Sequence, residues 1–159
     1  MKPVTCLQHQ KRTCYCGQIR KEHIGQDAIL KGWVHSRRDH GGIIFLDLRD
    51  RTGLCQVELD PQHMPRELFE KAHTIRSEYV VAVRGPICPR PEGTVNKKLD
   101  TGEVEVKAAE FEILNTSNPL PFSIDEYANI GEEVRLRHRY LDLRRPEMQK
   151  VIMSRARLF

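Results

Sequence analysis

Ile43-Ile44-Phe45-Leu46-Asp47-Leu48-Arg49, the turn Arg51-Thr52-Gly53 and Leu54-Cys55-Gln56-Val57-Glu58-Leu59 decide how this chain folds. Both apolar runs alternate with period two, and a short glycine-bearing turn joins them, which is the pattern of paired antiparallel strands. The alternation sorts the side chains. Ile44, Leu46 and Leu48 form one apolar face, continued by Cys55, Val57 and Leu59. Phe45 falls on the opposite face with Asp47 and Arg49, and Leu54, Gln56 and Glu58 point the same way.

Working outward, Ala28–His35 reads as a preceding strand, and Arg37-Arg38-Asp39-His40-Gly41-Gly42 as a polar turn. Downstream, Leu68, Phe69, Ala72 and Ile75 recur at helical spacing, with Pro65 where a helix tolerates it. Tyr79–Val83 is apolar enough to be buried on both faces. A turn-rich span, Pro86–Thr101, precedes two alternating runs, Glu103–Val106 and Phe111–Leu114. Their apolar positions change parity, so one β-bulge near Ala108-Ala109 is needed to keep both on the core. Three strands, a helix, then further strands is the element order of an OB-fold. The expected class is therefore mainly β: a five-stranded Greek-key barrel with one helix after the third strand.

The expected organisation is an extension over 1–14, the barrel over 15–116, and a hinge over 117–159 leading into a further domain. Pro146 starts a helix with Met148, Val151, Ile152, Leu158 and Phe159 on one side. That stripe implies a fragment of a longer protein. Of the net charge of +4, all lies in residues 132–159, which hold eight basic and four acidic side chains; the first 131 residues are neutral. Nucleic-acid binding by the barrel must therefore come from local placement rather than bulk charge.

Several function classes are excluded or disfavoured. No stretch approaches the ~20 apolar residues of a membrane span, and the polar start, Met1–Lys11, is no signal peptide. Five scattered cysteines fit a reducing, cytoplasmic setting, and Cys14-x-Cys16 is too tight for a zinc knuckle, so no metal is expected. Phosphate-loop, dinucleotide, zinc-protease and serine-hydrolase motifs are missing, and no catalytic residue is assigned. What remains is the outer face. An aromatic beside polar strand residues lets a base stack on Phe45 while neighbours read its edges; equally, Phe45 packs beneath a loop. Arg37 and Arg38 serve either as RNA contacts or as a solvated turn paired to Asp39. Arg144 and Arg145 are further candidates for backbone contacts.

Gly32-Trp33-Val34-His35-Ser36-Arg37-Arg38-Asp39, the run Ile44–Gly53, Gln56-Val57, Thr101-Gly102-Glu103-Val104-Glu105-Val106 and Arg139-Tyr140-Leu141-Asp142-Leu143-Arg144-Arg145-Pro146 together resemble bacterial-type aspartyl-tRNA synthetases, in their N-terminal anticodon-binding domain. Ser36 departs from the pattern, where a third arginine is frequent. The resemblance implies that Phe45 stacks on the central anticodon uridine and Gln56 hydrogen-bonds it. It further implies that Glu105 meets the first base, a guanosine, and Arg38 the third. Strict alternation from Ala28 puts Arg38 on the core face, so a strand end or bulge must precede it. His40 and Gly93 resemble the non-discriminating subgroup, whose members charge both tRNA(Asp) and tRNA(Asn). The implied parent is a class II aspartate–tRNA ligase. It would be homodimeric through its catalytic domain and would use ATP and Mg2+, with no cofactor held by this segment. The competing reading is a free-standing single-strand-binding module without ligase activity.

Overall fold

The computed structural model describes residues 6–124 and 129–158. The chain divides into two compact units, Met1–Pro119 and Leu120–Phe159.

In the first unit one sheet contains β1 (Asp27–His40), β2 (Ile43–Asp50), β3 (Gly53–Leu59), β4 (Val80–Pro89), β5 (Val104–Lys107) and β6 (Glu110–Asn115), with α1 (Arg66–Ala72) following β3. The strand order is β1-β2-β3-β5-β4-β6, and β1 also pairs with β4, which closes the barrel. β3 and β5 run parallel. β5 and β6 are two halves of one strand lying along β4. Val106 is opposite Ile87, but Glu110 is opposite Arg84, so one extra residue sits between the halves at Ala108-Ala109. This is the bulge that the parity change requires, and the barrel is the expected five-stranded OB-fold. A Cβ at Gly85 would lie 1.9 Å from the Lys107 carbonyl oxygen, so the bulge closes only against a residue without one.

The inward faces read from the sequence are the core. Ile44, Leu46 and Leu48 on β2 and Cys55, Val57 and Leu59 on β3 are fully buried, each worth about 1.5–3 kcal/mol for the larger side chains. Ile75 is buried as expected, but it lies beyond the end of α1, on the segment leading to β4.

Two boundaries differ from the sequence reading. β1 runs on through Arg37–His40, and only Gly41-Gly42 make the turn, both with positive φ (61° and 81°). Two such residues suffice for a tight hairpin, so the basic run is free to be strand. β4 likewise continues through Pro86 to Pro89. Proline is tolerated there because Ile87 makes the flanking bonds, donating to the Gln26 carbonyl and accepting from Gly25 N–H, both at 2.9 Å.

Residues 6–14 lie on the barrel. Leu7 is buried, Gln8 N–H donates to Glu112 (2.9 Å), and Thr13 N–H donates to the Ile29 carbonyl (3.0 Å). Residues 1–5 of the expected extension fall outside the described residues.

In the second unit, α2 (Glu132–Arg137), α3 (Arg139–Asp142) and α4 (Pro146–Leu158) are short helices. Asp142 is fully buried and accepts from Arg135 Nε (3.0 Å), Arg139 Nη1 (2.5 Å) and Arg145 Nη1 (3.4 Å). α4 exposes Val151, Ile152, Met153 and Leu158; Phe159 lies outside the described residues, as do residues 125–128 of the expected hinge.

Candidate nucleic-acid interface

β1 carries the feature on which the outer face depends. Val34 is opposite Leu48, but Ser36 is opposite Asp47, so an extra residue, His35, bulges out between them. The bulge reverses the alternation. Val34 points to the core, whereas Ser36 and Arg38 point outward. Arg38 is then opposite Phe45, Phe45 opposite Glu58, Asp47 opposite Gln56, and Gln56 opposite Glu105. Directly opposed residues share a sheet face. The register therefore brings Arg38, Phe45, Gln56 and Glu105 onto one face, drawn from four strands.

The side chains on this face are joined to one another. Arg38 Nη2 donates to Asp47 Oδ1 and to Gln56 Oε1, each at 3.1 Å. Gln56 Nε2 donates to Glu105 Oε2 at 2.8 Å. Ser36 Oγ donates to Asp47 Oδ2 (2.5 Å), and Lys107 Nζ pairs with Glu58 Oε1 (3.3 Å). This packing buries Gln56 and Glu105 although both point away from the core; Glu105 is 1% exposed. Phe45 stays half-buried, opposite Arg38 on β1 and Glu58 on β3.

Glu105 is the exception to this satisfied network. Its Oε1 is buried with no hydrogen-bond partner. Burial pushes its carboxyl above the ordinary range, the Gln56 hydrogen bond opposes this, and Glu58 adds to it both by its charge and by lying close enough to share a proton with the Glu105 carboxyl. An unpaired buried acceptor costs about 1–3 kcal/mol. A donor brought to that oxygen would recover this cost.

The remaining candidates lie elsewhere. His40 is exposed at the end of β1, beside the hairpin turn between β1 and β2. Gly93 is exposed, with φ 82°, on the segment joining β4 and β5. These are the two loops that border the binding face of an OB-fold. Arg37 is opposite Leu46, a core residue, and so leaves the face that Arg38 occupies. Arg145 is buried, and its guanidinium is bound to Asp142 and, at 2.6 Å, to Glu147. Within the second unit its side chain is committed to these two carboxylates. Arg144 is half-buried in the same unit. The carboxylates of Glu58 and Asp60 and the imidazole of His63 lie within 4.8 Å of one another. Glu58 is already paired with Lys107, and Asp60 with His63 Nδ1 at 3.1 Å.

Sequence reasoning missed Ser36, Asp47 and Lys107 as members of the site. The alternation places Asp47 and Lys107 outward; that Asp47 links Ser36 to Arg38 follows from the β1 bulge, which no residue pattern announces.

Comparisons with known proteins agree with this fold. Residues 28–114 match the tRNA anticodon family described as "OB-fold nucleic acid binding domain". The aspartate–tRNA(Asp/Asn) ligase of Geotalea uraniireducens is 54% identical over 148 residues, 93% of this chain and 25% of that protein. The same enzyme from Moorella thermoacetica is 56% identical over 142 residues, 89% of this chain and 23% of that protein. Among solved structures, asparaginyl-tRNA synthetase from Pyrococcus horikoshii superposes with a TM-score of 0.74 at 26% identity, covering 88% of this chain and 30% of that one. The chain thus spans about a quarter of the length of the curated relatives it matches. With its barrel, its aromatic outer face and these relatives, the chain belongs to the OB-fold nucleic acid binding domains of the tRNA anticodon family.

Proposed function

We propose that this barrel reads the anticodon of tRNA(Asp), and also that of tRNA(Asn), within an aspartate–tRNA ligase. The observation that carries the reading is the gathering of Phe45, Gln56, Glu105 and Arg38 on one face by the β1 bulge. Phe45 stacks on the central uridine, worth about 1–3 kcal/mol. Gln56 hydrogen-bonds the same base, trading its contact with Arg38. Glu105 takes N–H groups of the first-position guanine on its unpaired oxygen. Arg38, released from Gln56, reaches the third base. His40 and Gly93, on the two bordering loops, relax the choice at that third base, the one place where the two anticodons differ.

The larger protein attaches aspartate to tRNA through an aspartyl-adenylate, as a cytoplasmic homodimer. ATP and Mg2+ belong to its catalytic part, and no residue described above is asked to hold them. The test is a titration of this chain against stem-loops carrying GUC, GUU and a scrambled loop at fixed salt. GUC and GUU binding alike, both more tightly than the scrambled loop, is the expected result. Poor GUU binding removes the relaxed reading; equal binding of all three removes anticodon recognition.

A further inference from the structure

Beyond residue 34 the pairing of β1 becomes one-sided. Its contacts with β4 run from Asp27 opposite Pro86 to Trp33 opposite Val80, and Ser36–His40 pair only with β2. Arg38 and Arg37 are neighbours, about 3.8 Å apart at Cα, and their side chains leave this free edge on opposite sides. Arg38 joins the platform. Arg37 enters an open cleft of about 460 Å³ lined also by His73, Ile75, Arg76 and Ser77, from the segment after α1.

The lining is one-sided in charge. It holds two guanidinium groups, an imidazole and a hydroxyl, and no carboxylate. Arg37 is largely covered, and its Nε is buried with no hydrogen-bond partner; its Nη2 has only a 3.5 Å contact with Asp39. Arg76 uses Nη1 on the carbonyls of His73 (2.8 Å) and Ile75 (3.1 Å), which fixes its guanidinium at the rim. Ser77 Oγ lies near the carbonyls of Val34 and His35 at 3.5 and 3.3 Å, both weak contacts. Two positioned arginines, one with a buried unpartnered Nε and only a long ion pair to Asp39, in a cleft whose own lining holds no carboxylate, suit a tetrahedral oxyanion, which takes two N–H groups from one guanidinium.

We infer that this cleft binds a phosphodiester of the same RNA whose bases lie on the platform, the strand passing around the free edge of β1 between Arg38 and Arg37. The inference rests on the anticodon reading and adds to it an anchor that carries no sequence information.

The test uses the 159-residue chain, a GUC stem-loop and a salt series. Arg76→Gln, and separately Arg37→Gln, should reduce the slope of log affinity against log salt by about 0.7 for one lost phosphate contact. GUC and scrambled loops should weaken by the same factor, so the preference between them stays. Arg76→Lys, which keeps the charge, should restore most of the slope. Because Arg76 is exposed and donates only to carbonyls beside it, that variant remains informative if Arg37→Gln fails to fold. Inorganic phosphate, followed through the Ser77 amide resonance, separates the sources. A phosphate-induced shift with unchanged RNA slopes in the variants makes the cleft a free-phosphate site and overturns the assignment. Unchanged slopes with normal GUC preference overturn the cleft alone. A wild-type chain that binds no stem-loop overturns both readings.

Discussion

Glu105→Gln separates what this residue does for RNA from what it does to the barrel. The wild-type carboxylate is 1% exposed, holds Gln56 at 2.8 Å through one oxygen, and leaves the other unpaired beside Glu58. A buried acceptor without a partner costs about 1–3 kcal/mol. Glutamine keeps an oxygen for Gln56, removes the like charge next to Glu58, and offers N–H groups to that carboxylate instead. The variant should therefore be more stable at pH 7 by about 1–2 kcal/mol on the same scale, at about 4–8 °C in Tm per kcal/mol for a barrel near 100 residues.

The pH dependence has a definite sign. Burial raises the folded-state pKa above the ordinary 4.5, so the folded protein holds this proton more tightly than the unfolded chain does. The resulting stabilisation is full below the unfolded value and is lost as pH rises through the folded one. The advantage of the variant should accordingly vanish near pH 4 and grow towards neutrality. Urea unfolding of both proteins at pH 4 and pH 7 measures it. In stem-loop binding the same change should cost about 1.5–3 kcal/mol at a guanine-bearing first position, the worth of hydrogen bonds to a charged group, and little against other bases. A variant less stable than wild type at pH 7, or an advantage that persists unchanged at pH 4, refutes the reasoning that the unpaired buried charge is a cost kept for binding.

Phe45→Ala should weaken stem-loop binding by about 1–3 kcal/mol, roughly 5- to 150-fold, with Tm nearly unchanged because the core side chains of β2 face the other way; fluorescence anisotropy and thermal melts check both. Gly85→Ala should destabilise the barrel by more than about 2 kcal/mol or prevent folding, since the new Cβ meets the Lys107 carbonyl at 1.9 Å; denaturant midpoints report it. Asp142 combines burial, which pushes its carboxyl up, with hydrogen bonds from Arg135 and Arg145 that hold it below the ordinary 3.8. The helices of the second unit are thus supported above that value and should lose this support as pH falls through the lowered one, read as helical circular dichroism that falls over that range in the wild type, whereas Asp142→Asn starts lower at neutral pH and shows no such step.

Much of this was legible because alternation is a direct consequence of strand geometry. Ile44, Leu46, Leu48, Cys55, Val57 and Leu59 were assignable to the core, and Phe45, Gln56 and Glu105 to the other face, from period two alone. The parity change between Val106 and Phe111 foretold the bulge at Ala108-Ala109. Part of what the pattern hid arises because polar residues in a strand look like residues in a turn. Arg37–His40 were mistaken for a loop because nothing in their composition distinguishes a one-sided edge strand from solvated chain. The His35 bulge, which puts Arg38 on the platform, is set by cross-strand register; alternation alone does not announce it, and only the resemblance called for a strand end or bulge before Arg38. Burial of Gln56 and Glu105 was equally hidden, since it arises from neighbours on four strands. Arg145 carried a charge that suited RNA, and only the fold brings Asp142 to it.

The central claim is that the Phe45 ring is a stacking platform for the middle base of the anticodon. Saturating this chain with a GUC stem-loop labelled at the central uridine tests it directly by nuclear magnetic resonance. Upfield shifts of that uridine's H5 and H6, with intermolecular Overhauser contacts to the Phe45 ring protons that disappear in Phe45→Leu, are predicted. Binding that leaves those protons unshifted and without contacts to Phe45 contradicts the account.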